Sequence, residues 1–450
     1  MDIVAFKEQL FKAGTAKGFT DMEIYYQSSQ RFNTQVFKGE IDAYQIAVEG
    51  GLSFRGLING KMGYSYTEKI DKTEIDFLIT EAADNAAVIE DEDPEELFPG
   101  SESYEDVTFF SDELAKIEAE EKINVLKEAE AECFALSDKV HSVNYCILES
   151  RDGETFIANT KGLEKQEKRN FVYIVLSAVV KSGEEFKSAM KYWVTDDFAS
   201  FSPKEMAKEV VDEALSFMNA SSIKSKNYPI ILRNSAAASL LQAFSSSFSA
   251  ENVQKGKSML AGKLNEAIGA ANITIIDDPH YKAGTASQSF DGEGVATHQL
   301  KVVEQGVLKT YLHNLKSARK DGVKSTGHAF KPSYKGTISI SPSNMYIEPG
   351  DKSLNELIKA EDEALLITDL QGLHSGADPI SGDFSLAANG YLVKNGAIAR
   401  PVDQITVAGN FFDLLNQVET IGDDVSFSIM GTGYLGSPSL KITKLSVGGE

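Results

Sequence analysis

One order of elements occurs twice in the first 220 residues of this chain, and that repetition restricts the fold more than any motif does. In its first occurrence Ile3, Phe6, Leu10, Phe11 and Ala13 form one helical stripe that closes at Gly18. Strand-like runs follow at 21–28, 33–39, 44–58 and 62–67, with turn pairs at Lys38-Gly39 and Asn59-Gly60. Ile75, Leu78, Ile79 and Ala82 then mark a helix over 72–87, and the acidic, Pro-containing run 90–99 has the texture of a linker. The second occurrence has a long helix over 111–136, a strand at 142–151 and another ending in Asn159-Thr160-Lys161-Gly162. A run at 168–181, a turn at Ser182-Gly183, a strand at 188–194 and a helix over 202–218 complete it. The expected fold class is therefore α+β: a duplicated α–β–β–β–β–α N-terminal region followed by a β-rich C-terminal domain.

Three units follow from this order: 1–100, 101–221 and 222–450. Roughly 150 residues per domain agrees with a chain of 450. The polar, aperiodic stretch 221–228 sets the second boundary. Beyond it a short apolar strand at 229–232 leads into a helix that Asn234 or Ser235 can cap. Ala236, Leu240, Leu241, Phe244 and Phe248 recur along it near helical spacing. Hairpins are expected across Gln305-Gly306 and Asn395-Gly396.

Charge and cysteine usage remove several classes of function. Lys+Arg 44 against Asp+Glu 67 leaves −23, a field that repels a nucleic-acid duplex, so no direct nucleic-acid partner is expected. Two cysteines in 450 residues build no disulfide framework, and no Cys-x-x-Cys spacing is present. The longest apolar stretch, 171–180, is far short of the roughly 20 residues that cross a bilayer. No basic segment followed by an apolar core opens the chain. No membrane contact is expected, and the cytoplasm is the expected compartment.

Nucleotide loops and a Gly-x-Ser-x-Gly elbow are absent, and none of the six histidines stands four or five residues from another. The densest unusual segment is 370–386. Gly372, Gly376 and Gly382 allow close backbone approach there, and His374, Ser375, Asp378, Ser381 and Asp383 supply polar groups. Two readings stay open for it. One is a loop that lines a peptide site or a subunit interface, next to a strand at 390–394 whose edge would accept an extended chain. The other is a structural loop in which Asp and Ser bond to nearby backbone.

Several segments carry a resemblance to a known family. They are 49–63, Phe290-Asp291-Gly292-Glu293-Gly294-Val295, 306–313, 381–385, 390–398 and 405–410. Together they resemble the TldD/PmbA family, also called the modulators of DNA gyrase, and the likeness runs from the first helix to 445–449. It implies a cytoplasmic metalloprotease of two related subunits, TldD-like and TldE/PmbA-like, acting on peptides or unfolded chains. The TldD type carries His-Glu-x-x-x-His on the helix after the first C-terminal-domain strand, and a zinc-binding Cys near its C terminus. Aligned on Leu240 and Leu241, those positions hold Gln242, Ala243 and Ser247 here, and both cysteines lie in the N-terminal half.

Amide, methyl and hydroxyl groups are poor zinc ligands and supply no carboxylate base. The chain thus resembles the TldE/PmbA subunit: no cofactor of its own, with zinc expected in a TldD-like partner, or else pairing with itself. Two rival readings remain. An autonomous metal-independent hydrolase would use His374 as base, Ser375 or Ser381 as nucleophile and Asp378 or Asp383 as orienting acid. A homodimeric peptide-binding protein would cut nothing.

Overall fold

The computed structural model describes residues 2–89, 96–282, 284–428 and 433–450; most of the acidic run expected as a linker falls on 90–95, outside them. The N-terminal region opens with α1 (Ile3–Lys17), capped by the Asp2 carboxylate on the N–H groups of Val4 and Ala5 and ended by Gly18 at φ 107°. Next come β1 (Asp21–Phe37), β2 (Glu40–Ile58), β3 (Lys61–Thr67) and α2 (Glu74–Val88). The second unit runs α3 (Asp112–Ala115), α4 (Ala119–Leu136), β4 (Val140–Asn159), β5 (Glu164–Ser182), β6 (Glu185–Thr195) and α5 (Pro203–Ser216). Both turn pairs of the first unit have positive φ at each residue, 55° and 78° at Lys38-Gly39 and 52° and 79° at Asn59-Gly60, as a two-residue hairpin requires.

Each unit has three strands, not the four expected. The runs at 21–28 and 33–39 form one strand, and so do 142–151 and the strand ending at Asn159. β1 and β4 pair antiparallel through the polar interruption, with Ser29 opposite Gly153 and Gln30 opposite Asp152. On the helix face Met22 and Ile24 pack with α1 and α2, whereas Phe32 and Val36 pack with α4 and α5. The polar residues between lie under the gap separating the two helix pairs, so the loss of alternation marks a gap in cover and no turn.

Together the units make one six-stranded sheet of order β3-β2-β1-β4-β5-β6, palindromic about the β1/β4 pair. Its other face presents Tyr25 and Ile157 to Phe290 and Tyr334 of the C-terminal region.

That region begins with β7 (Lys226–Leu232) and α6 (Asn234–Phe244). β7 lies inside a six-stranded sheet, parallel to Glu363–Gln371 and antiparallel to Leu440–Gly448. Asp383–Lys394 and Ala397–Asn410 continue the sheet, and the latter pairs back to Leu440–Gly448, closing a ring. Residues 390–394 are hydrogen-bonded on both sides, to Glu363–Gln371 and to Ala397–Asn410. The expected free edge there does not exist. A second six-stranded sheet includes Ile275–Asp277, Tyr434–Ser437 and Ser426–Ser428. Leu240, Leu241 and Phe244 of α6 are buried in the core, the Phe244 ring stacked 4.7 Å from that of Phe411. Burial of side chains this size stabilises by about 1.5–3 kcal/mol each.

Candidate functional site

A groove of about 1280 Å³ separates the edge of the N-terminal sheet from the C-terminal core. One wall is β6 with the neighbouring face of α5; the other is α6 with the end of Glu363–Gln371 and the start of the loop after it. Phe186 and Met190 project from the first wall, 49% and 59% exposed. β6 is the terminal strand of its sheet, so alternate residues turn their N–H and C=O groups away from β5.

Gln242 and Ala243 line the opposite wall. Gln242 Oε1 accepts from the Ser428 hydroxyl at 2.7 Å, and its Nε2 is buried with no partner. Ser247, past the end of the helix, is fully buried, and its hydroxyl donates to the Pro379 carbonyl at 2.9 Å. A zinc ion needs thiolate, imidazole or carboxylate ligands. These positions offer one amide oxygen, a methyl group and a committed hydroxyl, and no group of three His, Cys, Asp or Glu capable of holding a metal occurs among the described residues. The donor set does not fit the zinc that the family resemblance implies for a TldD-type chain.

The loop residues divide. His374 reaches the groove wall. Gly372, at φ 79°, opens a single helical turn, Leu373–Gly376, and the Ser375 hydroxyl donates back to the Gly372 carbonyl at 3.3 Å. Asp378 accepts from the Ile380 N–H at 2.9 Å, a bond that holds its carboxyl below the usual range. The Ser381 hydroxyl accepts from the Asp383 N–H, and Asp383 accepts from Asn410. Gly376 faces the Ser385 carbonyl, and Gly382 has φ 80° against Asn410. Most of the loop's polar groups are thus spent on local backbone. No hydrogen bond among the described residues joins His374 to Ser375, Ser381, Asp378 or Asp383, and the hydrolase triad is not assembled.

Sequence reasoning missed two ionic clusters. In the groove, Arg233 lies 2.9 Å from Glu213 of α5, which also pairs with Lys191 of β6. Burial alone would raise the Glu213 carboxyl, but Arg233 and Lys191 outweigh it and hold the group below its ordinary range. Lys187 bridges to Asp403 at 2.5 Å. These pairs tie the two walls together from four separate segments.

The second cluster lies where the sheet's other face meets the C-terminal region. Arg55 Nε bonds Glu23 at 2.7 Å, and the Asp291 carboxylate accepts from the N–H groups of Glu293, Val295 and Ala329. Burial raises the Asp291 and Glu293 carboxyls. It also pushes the Lys331 ammonium, 5.0 Å from the rings of Tyr25 and Tyr64, down to about 7 with help from Arg55. The segment 290–295, noticed in the sequence only as part of a resemblance, supplies two of these groups.

Known proteins share this architecture. The chain matches family models described as PmbA/TldA metallopeptidase domain 1 over residues 22–86, the central domain over 112–217 and the C-terminal domain over 225–449. A Thermotoga maritima structure named as a modulator of a DNA gyrase superposes with a TM-score of 0.92 at 33% identity, over 99% of this chain and 100% of that one. TldE from Thermococcus kodakarensis superposes at 0.91 with 22% identity, over 99% and 100%, a likeness of fold. The metalloprotease PmbA of Escherichia coli O157:H7 is 32% identical over 241 residues, 53% of this chain and 51% of that protein. With all three of its regions matched in this way, the chain belongs to the PmbA/TldD metallopeptidase family.

Proposed function

We propose that this chain is the zinc-free, non-catalytic subunit, of TldE/PmbA type, in a two-subunit protease that acts on peptides or unfolded chains in the cytoplasm. One observation carries the reading: α6 faces the groove with Gln242 and Ala243 in place of metal ligands, while the groove around them stays open. The name of the Thermococcus kodakarensis neighbour supports the subunit type. A TldD-like partner supplies zinc and the catalytic water; this chain supplies binding surface.

The outward edge of β6 is suited to hold an extended chain through main-chain hydrogen bonds, which suits substrates of varied sequence. It takes the role first expected of the buried strand at 390–394. Phe186 and Met190 offer apolar contacts beside it. No helix among the described residues is long and apolar enough to cross a membrane.

The test is reconstitution. The pure chain should leave an unfolded peptide substrate intact, and a TldD-like chain added to it should cleave that substrate faster than it does alone. Cleavage by the pure chain after treatment with a metal chelator would contradict the proposal.

A further inference from the structure

Beside the Asp291 cluster, where the sheet's other face meets the C-terminal region, lies a cavity of about 80 Å³. Its walls come from both sides of the junction: Tyr25, Glu167 and Arg169 from β1 and β5, and Asp291, Lys331 and Ser343 from the C-terminal region. It has room for several waters or one small ion in their place, far below the roughly 300–1,000 Å³ of a site for a drug-sized molecule. The acceptors on its walls are already engaged. Glu167 Oε2 accepts from the N–H and the hydroxyl of Ser289, both at 2.6 Å. The Asp291 carboxylate is held by three N–H groups, and the Ser343 hydroxyl donates to Asp277. The cations are not engaged in this way: among the described residues, neither the Arg169 guanidinium nor the Lys331 ammonium has a hydrogen bond or an ion pair. Lys331 is only 8% exposed, and its ammonium meets the rings of Tyr25 and Tyr64 at 5.0 Å, which attract a cation without neutralising it. Burying positive charge without a counter-charge is costly, and a small anion in the cavity removes that cost.

We propose that this cavity binds one small, doubly charged oxyanion of the sulfate and phosphate class, held between Arg169 of the N-terminal sheet and Lys331 of the C-terminal region. The proposal goes beyond the protease reading and does not depend on it. The guanidinium fork takes two oxygens of such an ion at once, and the ammonium meets a third as a point charge. Because the two cations belong to opposite walls, the ion ties β5 to the segment around Lys331 and stiffens the junction. Its binding is linked to protons. Lys331 is faced by Arg55 of β2, Glu23 and Tyr25 of β1, Tyr64 of β3 and Glu293, and burial together with Arg55 holds its ammonium down to about 7. The anion favours the protonated ammonium, so binding takes up a proton and weakens as pH rises through 7. Burial raises the carboxyls of Glu167, Asp291 and Glu293, and their loss of protons over the same range weakens binding in the same direction.

Sodium sulfate is the probe, since sulfate keeps both charges across the pH range used, and the full chain is titrated calorimetrically in a background of sodium chloride at matched ionic strength. One sulfate per chain should bind, saturating below about 10 mM, and about tenfold more tightly at pH 6 than at pH 8. Sodium phosphate should compete for the same site, and sodium acetate should compete about tenfold more weakly, having one charge. Arg169→Gln, at a half-buried position, should weaken sulfate binding at least about tenfold and leave circular dichroism unchanged. Lys331→Met keeps the length of the side chain, and should weaken binding at pH 6 and flatten its dependence on pH. Sulfate should raise the thermal midpoint of the unmodified chain more than that of Arg169→Gln. A cavity that holds water only, with no saturable uptake of sulfate or phosphate, overturns the proposal. So does sulfate binding indifferent to Arg169→Gln, which places the ion elsewhere, or acetate binding as tightly as sulfate.

Discussion

The buried hydroxyl of Ser247 donates to the carbonyl of Pro379, fastening the end of the α6 segment to the loop that follows Glu363–Gln371. Losing one buried hydrogen bond and leaving its acceptor unpaired costs about 1–3 kcal/mol. Ser247→Ala should therefore lower stability by about that amount in urea denaturation without creating or removing metal affinity. Gln242 and Ala243 were legible only through the family resemblance, which places its metal-ligand positions just after Leu240 and Leu241. The Arg233, Glu213 and Lys191 cluster was not, because its members come from three segments that only tertiary packing brings together. The loop's Asp and Ser residues looked like a site, but Asp378 and Ser381 accept from N–H groups two residues away and Ser375 donates to a carbonyl three residues back, the ordinary use of those side chains in turns.

The buried cluster at the sheet's other face has a pH signature. Asp291 and Glu293 have carboxyls raised above their unfolded values, so the folded state holds more protons. Their contribution is complete below the usual carboxylate range and is lost as pH rises through the folded values. Lys331 is depressed to about 7. Its contribution is present above the usual lysine range and is lost as pH falls toward 7. Denaturation of Glu293→Gln at pH 5 and pH 7.5 should show a smaller loss of stability between those values than the unmodified chain shows. An equal or larger loss would mean that the Glu293 carboxyl is not raised.

Among the elements, the two-residue turns were the most legible feature. Four of the five Xaa-Gly pairs, at 38–39, 59–60, 305–306 and 395–396, have positive φ at both residues, because such a turn must match the twist of its strands, and at Ser182-Gly183 the glycine alone does. The number of strands was misjudged, since a polar stretch beneath a gap between helices loses alternation just as a turn does. The edge at 390–394 was misjudged for a related reason: whether a strand is terminal depends on sheet order, which alternation does not encode. Two glycines separate backbone strain from crowding. Gly60 has φ 79° and open space where a Cβ would sit, so Gly60→Ala should cost about 1 kcal/mol of backbone strain. A Cβ on Gly390 would lie 1.9 Å from the Leu366 carbonyl oxygen. Gly390→Ala should cost more, with the excess visible as a larger fall in thermal midpoint.

Across the whole molecule, the N-terminal sheet uses each of its boundaries differently. One face carries four helices, the other rests on the C-terminal region, the β6 edge borders the groove and the β2 edge stands free. In a reconstituted complex Met190→Glu, at an exposed position on the groove wall, should weaken peptide cleavage through KM while leaving subunit association intact. Loss of association instead would assign β6 to an interface. The zinc-free subunit reading stands or falls on the metal content of the purified full chain, measured after dialysis against buffer with added zinc and then without it. Far less than one zinc per chain is expected, unchanged by Gln242→Ala. One tightly retained zinc per chain would contradict the reading.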